Sequence, residues 1–135
     1  MLSKKTRYAI VSLIHLSKKY GKGLVQISDI AREEKIPQRF LEGILLELKK
    51  MGVLSSKLGK NGGYFLSKPP DKINLFEIIE HFEGSVAMLF CVSEKMYQEC
   101  EFCKDESKCK LRKIFKQLYI YNSEILKNNT FDKLI

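Results

Sequence analysis

Long hydrophobic runs are missing from this chain, and so are cysteines outside one short segment. The most apolar stretch near the N-terminus, AIVSLIHL, is interrupted by a serine and a histidine, and SKKYGKG follows it where small cleavage-site residues would be expected. No run has the length of a membrane span. The sequence therefore predicts a folded protein that stays in the cytoplasm, where thiols are kept reduced and structural disulfides are rare.

Acidic residues are scarce in the first half of the chain. Residues 1–70 contain 14 Lys and Arg against 5 Asp and Glu, a balance of +9, whereas residues 71–135 contain 10 against 11. Such asymmetry indicates a surface that binds a polyanion, nucleic acid being the commonest and an anionic membrane the next. The alternative is a lysine-rich surface that is only solvated.

Three helices are predicted ahead of Gly52, which supplies a stop signal. The first runs from residue 4 to about residue 19, and a short second helix begins at Gln26 or Ser28. The third has Pro37 at its first position. Its apolar residues have the spacing of a helix that packs against a core: Leu41, Ile44, Leu45 and Leu48. The second and third helices, joined by a short turn, form a helix-turn-helix unit.

A β-hairpin is predicted next, in VLSSKLGKNGGYFLSK. Two β-prone runs flank GKNGG, whose Asn61-Gly62 pair is expected to supply the positive φ values of a tight turn. Three helices and a hairpin make a winged helix, so the predicted fold is mainly α with a small β-hairpin. We expect residues 1–70 to form a winged helix-turn-helix DNA-binding domain, and residues 71–135 to hold a cysteine loop (91–109) and a dimerisation helix.

The third helix is expected to enter the major groove of DNA. The face opposite its core stripe carries Arg39, Glu42, Gly43, Leu46 and Lys50, with Gln38 at the margin. Arg39 can pair with guanine, Gln38 with adenine, and Glu42 can accept from a cytosine amino group. Gly43 would permit close approach of the backbone to DNA. The wing adds three residues expected to contact phosphates: Lys57, Lys60 and Asn61. For each of these residues a solvated surface position is the alternative.

Several segments together resemble the IscR/NsrR-type regulators, the Rrf2 family, over nearly the full length. They are an early Tyr-Ala pair, FLEGILLELKKMGVLSS, a G-x-x-GGY wing, and cysteines ahead of a long final helix. The resemblance implies a homodimeric winged-helix transcription regulator, not an enzyme, that binds an inverted-repeat operator in double-stranded DNA and has no membrane partner. It adds Gly62 and Tyr64 of the wing to the DNA-binding candidates. In many members the cysteines hold an iron–sulfur cluster to which DNA affinity responds.

All four cysteines lie in one 19-residue segment, CVSEKMYQECEFCKDESKC: Cys91, Cys100, Cys103 and Cys109. The resemblance aligns all of them except Cys100 with the family's three cysteines. Some relatives complete the ligand set with a histidine after the last cysteine or an acidic residue before the Tyr-Ala pair. Arg112 and Arg7 occupy these positions here, and arginine does not bind iron. The resemblance therefore implies Cys100 as the fourth metal ligand of a [2Fe–2S] or [4Fe–4S] cluster.

Other uses of the four thiols remain open. An all-cysteine site also suits structural zinc, Cys100 and Cys103 can form a thiol–disulfide switch, and the thiols can be without a ligand. A regulator that senses through a partner protein is a further possibility. A small thiol oxidoreductase built on CEFC is a remote alternative, because the motif lacks a βαβ context. If Ser107 caps the final helix, Cys109 lies in its first turn, where the positive helix end favours a thiolate.

Two more helices are predicted in the second half of the chain. Asn74 caps a helix in NLFEIIEHFEG. The final helix carries an apolar stripe that one chain cannot cover, so we expect it to pair with a second copy: Leu111, Ile114, Phe115, Leu118, Tyr121 and Ile125. Both histidines, His15 and His81, are expected on the polar sides of their helices and are assigned no function.

Overall fold

The computed structural model describes residues 1–135 and begins with three helices. Their bounds are α1 Lys4–Lys18, α2 Ile27–Glu34 and α3 Gln38–Lys50. Ser3 caps α1, its hydroxyl accepting a hydrogen bond from the backbone N–H of Thr6 at 3.2 Å. α2 begins directly after Gln26, which confirms the earlier of its two predicted starts. Pro37 is the N-cap of α3 rather than its first helical residue, one position earlier than expected.

The hairpin follows α3, with strands β1 Leu54–Lys57 and β2 Gly63–Leu66 in antiparallel register. The expected positive φ at Asn61-Gly62 was wrong: the positive φ of the turn, 107°, belongs to Gly59. Residues 58–62 form a longer connection than a two-residue turn, so the residue that needs a positive φ lies near the start of the loop rather than at its centre. Gly62 is required for a different reason, because a Cβ there would lie 2.1 Å from the carbonyl oxygen of Lys57.

A third extended segment joins the hairpin to the helices. The backbone N–H of Val25 donates to the carbonyl of Tyr64 at 2.9 Å, and the N–H of Tyr64 donates back at 2.8 Å. Gly63 makes this approach possible, since a Cβ there would lie 2.7 Å from the carbonyl oxygen of Val25. The predicted architecture, mainly α with a small β-hairpin, is confirmed.

One main core lies beneath these elements. The predicted stripe of α3 is confirmed, with its four members no more than 2 % exposed: Leu41, Ile44, Leu45 and Leu48. The second half of the chain also contributes to this core, through Ile73, Ile78 and Phe131, each fully buried. A separate, smaller core is formed by Cys91, Val92 and Tyr119. The main core therefore includes side chains from both halves of the sequence.

The second half contains two helices, α4 Leu75–Glu83 and α5 Lys110–Asn128. Asn74 caps α4 as predicted, its side-chain oxygen accepting from the N–H of Glu77 at 2.9 Å. After α5 the chain turns back, and the N–H of Phe131 donates to the carbonyl of Ile73 at 2.9 Å. The long final helix is therefore attached at its carboxyl end to the segment that precedes α4. No helix combines the length and hydropathy needed to span a bilayer.

His15 is buried, with 5 % of its surface exposed, so the prediction that it lies on a polar face was wrong. Its Nδ1 lies 2.9 Å from a carboxylate oxygen of Glu34 and 3.7 Å from one of Glu33. Both carboxylates stand at the end of α2, which packs against α1 and covers this face. The second histidine, His81, is exposed as expected.

The apolar stripe of α5 remains uncovered in the single chain. Five of its residues are between 41 % and 63 % exposed: Leu111, Ile114, Leu118, Tyr121 and Ile125. The prediction that Phe115 belongs to this stripe was wrong: its ring is half-buried and packs against the small core around Tyr119. α5 therefore contacts its own chain along one face and presents a row of apolar side chains along another.

Candidate nucleic-acid interface and cysteine site

The outward face of α3 presents every residue predicted there to solvent. These residues are Gln38, Arg39, Glu42, Gly43 and Lys50. No atom lies within 4 Å of the position that a Cβ on Gly43 would occupy, so this part of the helix is open to a close-fitting partner. The Arg39 guanidinium lies over the exposed ring of Phe40, 4.8 Å from its centroid, which keeps the guanidinium on the surface near the start of the helix.

A groove of about 490 Å³ lies beside this face, between α1 and α3. Its lining combines cations with aromatic rings: Lys4, Lys5, Tyr8, Arg39, Phe40, Gly43, Ile44 and Glu47. Lys4, Lys5 and Phe40 were not predicted as binding residues. The sequence did contain a hint of these residues, because two lysines fall in the first turn of α1. Cations are unfavourable near a helix N-terminus, and a bound anion would offset that cost.

The residues of the wing that are predicted to bind DNA differ in exposure. Lys57, Lys60 and Asn61 are exposed around the loop between the strands. Gly62 and Tyr64 are half-buried, and the Tyr64 side chain packs against the main core. The first three are free to contact a phosphate backbone, whereas the last two also shape the turn and anchor the hairpin.

The four cysteines come together around one cavity. It has a volume of about 780 Å³ and is lined by Cys91, Cys100, Cys103 and Cys109, all with free thiols. Cys91 is buried at 7 % exposure and the other three are half-buried. Four thiols suit an iron–sulfur cluster or zinc by donor chemistry. No three His, Cys, Asp or Glu side chains are close enough to hold a metal ion, so binding requires the loop to draw the thiols inwards.

Cys109 is itself the N-cap of α5, so the expectation that Ser107 caps this helix was wrong. The Cys109 Sγ accepts from the backbone N–H of Arg112 at 3.4 Å. Ser107 lies in a short 3-10 helix and donates its N–H to a carboxylate oxygen of Asp105 at 3.0 Å. The last cysteine therefore stands at the positive end of a 19-residue helix, with its sulfur turned towards the first free N–H groups.

Cys103 is in a different electrostatic setting. Its removal from water raises the pKa of the Cys103 thiol, and the neighbouring Cys109 and Cys100 raise it further. The general expectation of a loop that favours thiolates therefore does not hold for this cysteine. A bound metal ion would reverse the effect of the raised pKa, because it favours the deprotonated form of each thiol that it binds.

A carboxylate on α4 joins this helix to the start of α1. Glu83 accepts from the hydroxyl of Thr6 at 2.6 Å and from the backbone N–H of Ser3 at 2.7 Å. These hydrogen bonds, the one from Thr6 foremost, lower the pKa of Glu83. The contact occupies one of the free N–H groups at the helix start.

A second contact reaches α3. Glu47, on the same helix as the predicted DNA-binding residues, lies 3.0 Å from the Lys5 ammonium and 3.9 Å from the imidazole of His81. These side chains are partly exposed, so the pairs contribute little stability. They nevertheless show that α1, α3 and α4 meet at one point on the surface.

Comparison with known proteins places these features in one family. The model of the Rrf2 family, described as an iron-dependent transcriptional regulator, matches residues 2–135. An rrf2-like HTH-type transcriptional regulator of Rhodobacter capsulatus is 38% identical over 88% of this chain and 81% of its own length. The HTH-type transcriptional regulator IscR of Sodalis glossinidius is 28% identical over 99% of this chain and 78% of its own length.

A solved structure has the same fold. CymR (YrzC), the global cysteine regulator of Bacillus subtilis, superposes with a TM-score of 0.81 and is 27% identical in sequence. The superposition covers 99% of this chain and 95% of the CymR chain. The proteins matched by sequence and by structure are regulators of transcription rather than enzymes.

Proposed function

The chain belongs to the Rrf2 family of transcriptional regulators, and from this we propose that it binds an inverted-repeat operator as a homodimer whose affinity is controlled by an iron–sulfur cluster. The cluster, [2Fe–2S] or [4Fe–4S], would be held by Cys91, Cys100, Cys103 and Cys109. One observation carries the proposal: all four thiols line a single cavity, and the last of them begins the helix that carries the uncovered apolar stripe.

The DNA-binding half supports sequence reading by α3. Arg39 and Glu42 are exposed on the same face of the helix, and both residue types pair with base edges in the major groove. Lys57 and Lys60 project from the wing, and Lys4 lies in the groove beside α3, where phosphate contacts would fix the orientation on the duplex. The excess of positive charge in residues 1–70 agrees with a DNA partner.

The uncovered stripe of α5 supports the homodimer. Its residues repeat every three or four positions from Leu111 to Ile125, which is the pattern of a helix that packs against a partner helix. The same stripe on a second copy would meet it across a two-fold axis. Such a dimer would present two α3 helices to one face of a duplex, which is why we propose an inverted repeat.

The cavity supports a metal centre at the cysteines. A cluster bound by these thiols would supply a group whose integrity depends on oxygen, nitric oxide and iron supply. The thiol of Cys109 stands at a helix N-terminus, while Cys91 lies in the small core with Tyr119. The ligands would therefore come from a helix start, a buried core position and the exposed loop between them.

Coupling between the two halves has a physical route. α5 begins at the cysteine site and, with about 1.5 Å of rise per residue, extends roughly 28 Å before the chain returns to the main core at Phe131. Drawing the thiols together would shift the amino end of α5, whereas its carboxyl end stays bound to the main core through Phe131. We propose that residues 1–70 form the DNA-binding domain, that residues 71–135 hold the cysteine loop and the dimerisation helix, and that α5 connects the cysteine site to the main core.

A thiol-based regulator is the second candidate. The fold matches CymR, described as a global cysteine regulator, and both Cys100 and Cys109 lie near enough to Cys103 to raise the pKa of its thiol. In this alternative a disulfide among these cysteines replaces the metal as the signal. Structural zinc at the same four cysteines is a further alternative, in which the metal holds the loop without sensing.

Anaerobic purification with an absorption spectrum and metal analysis separates these candidates. We expect iron, sulfide and a visible absorption band; bound zinc without colour would support the structural site, and a metal-free protein with reversible disulfide formation would support the thiol switch. Replacement of Cys91, Cys103 or Cys109 by Ala should abolish the iron–sulfur spectrum. Cys100→Ala should at least make it labile, and an unchanged, stable spectrum would contradict Cys100 as a ligand.

Titration of one operator with holo and apo protein, at fixed salt, tests regulation. Coupling between two sites typically corresponds to about a 5- to 150-fold change in affinity, so the two dissociation constants should differ by that factor. The mass of both forms must be measured in parallel, because loss of the dimer would weaken binding for another reason. Equal affinities of two dimeric forms would leave the metal a structural role only.

A further inference from the structure

Arg112 reaches from the first turn of α5 back to the first cysteine. Its Nε and Nη2 donate to the backbone carbonyl of Cys91 at 3.3 and 3.2 Å, and its own N–H donates to the Sγ of Cys109 at 3.4 Å. Cys91 precedes Arg112 by 21 residues, so this contact closes the whole cysteine segment. The side chain is 22% exposed, which leaves the guanidinium largely shielded from water.

The guanidinium is also held from the other side. Its Nε lies 3.9 Å from a carboxylate oxygen of Glu106, and the second oxygen of that carboxylate accepts from the hydroxyl of Tyr97. Tyr97 and Glu106 belong to the loop between Cys91 and Cys109, so hydrogen bonds and one ion pair connect the loop, the helix start and the first cysteine. A planar guanidinium with several donors can serve these partners together, whereas a lysine ammonium lacks this geometry.

The charges that line the cysteine cavity also indicate a role for Arg112. Arg112 is the only cationic side chain among those that line the cysteine cavity, whereas Glu99, Glu101 and Glu106 are all present there. Metal binding would add thiolates to a lining that is already acidic. The positive charge of the guanidinium would offset part of this repulsion.

We propose that Arg112 is a positioning residue of the cysteine site, which holds the backbone at Cys91 beside Cys109 and offsets the negative charge of the four ligands. The inference rests on the proposed function for the metal, but the positioning role exists in the metal-free protein and is testable there. The proposal assigns Arg112 a positioning role at the place where some relatives have a histidine that binds the metal.

The metal-free test uses the thiol of Cys91, which is buried at 7 % exposure. Reduced apo protein is alkylated with iodoacetamide, and modification of each cysteine is followed by mass spectrometry with Cys100 as the internal reference. Hydrogen bonds to charged groups are strong enough that Arg112→Gln should raise the relative rate at Cys91 about tenfold or more. Arg112→Lys should also raise it, because lysine loses the paired donors. Lys113→Gln, an equal charge change at the exposed neighbour, should leave it unchanged.

The metal-loaded test separates charge from geometry. In reconstituted protein, Arg112→Gln should lower the midpoint potential, because removing a nearby cation disfavours the reduced, more negative state. Arg112→Lys should stay closer to wild type, and Lys113→Gln should not shift the potential. Circular dichroism establishes that each variant retains its helices.

Two results would overturn the inference. One is an unchanged Cys91 rate in folded Arg112→Gln and Arg112→Lys proteins. The other is a rise of equal size in Lys113→Gln, which would show only a general charge effect. A colourless protein without iron would count against the proposed cluster, while the alkylation experiment would still decide whether Arg112 positions Cys91.

Discussion

Replacing Phe131 by alanine tests whether the segment after α5 belongs to the main core that residues 1–70 form. Phe131 is fully buried in the main core and packs in the same cluster as Ile73 and Ile78. The backbone hydrogen bond from Phe131 to Ile73 does not depend on the side chain. The variant therefore removes the ring and leaves the backbone contact in place.

The expected cost follows from complete burial. Phe→Ala substitutions in protein cores destabilise by about 3 to 5 kcal/mol, because the apolar contacts are lost and the cavity collapses only partly. Phe131 begins a short 3-10 helix, which can shift more easily than a long α-helix, so we expect the lower part of this range, about 3 kcal/mol. Phe102→Ala is the matched control: its ring is 89% exposed, and its loss should change stability by no more than about 0.5 kcal/mol.

Urea unfolding of the apo proteins at one protein concentration measures the difference. Metal and dimer formation must be held constant, because both stabilise the folded state by mass action. A loss below about 1 kcal/mol for Phe131→Ala, with an unchanged urea dependence, would refute the assignment of this ring to the core. If the assignment is right, the variant should also reduce the difference in operator affinity between holo and apo protein, because the carboxyl end of α5 is then less firmly attached.

The remaining predictions concern DNA, the dimer and pH. Arg39→Ala should weaken binding to the operator by about 1 to 3 kcal/mol and binding to random DNA by much less. Lys60→Ala should weaken binding to both DNAs similarly and lower the slope of log affinity against log salt concentration by about one. Titrations of both DNAs at several salt concentrations measure these effects. Leu118→Glu should place charges in the uncovered stripe of α5 and shift the protein towards monomer in analytical ultracentrifugation. Hydrogen bonds lower the pKa of Glu83 in the folded state, so its stabilising contribution is present above the unfolded pKa of about 4.3 and is lost as pH falls through the folded value. Glu83→Gln should therefore be less stable than wild type at neutral pH and show a shallower loss of stability under acid, measured by urea unfolding from neutral pH downwards.

Each of these predictions has a contrary outcome. Equal losses on operator and random DNA would make Arg39 a phosphate contact. A Leu118→Glu protein that stays dimeric, like the control Lys116→Glu on the exposed surface, would place the interface elsewhere. Parallel stability curves for wild type and Glu83→Gln would show that the hydrogen bonds to the start of α1 do not favour the carboxylate.

The sequence alone determined the elements whose signals are local. The stripe of α3 is set by spacing within one helix, and all its members are buried as predicted. The cap at Asn74 lies three residues from its partner, and the stripe of α5 follows from the period of a single helix. Grouping of the cysteines in residues 91–109 was also visible, because it depends only on position along the chain.

Only the tertiary structure decided which distant groups meet. His15 is buried because Glu34, 19 residues away, is brought to it by the packing of α2 on α1. Phe131 enters the core because the chain turns back after α5, and Arg112 reaches Cys91 because residues between them form a closed loop. Helical periodicity tells which face of an element is apolar, but the partner that covers a face or satisfies a polar group depends on long-range packing, which no local pattern encodes.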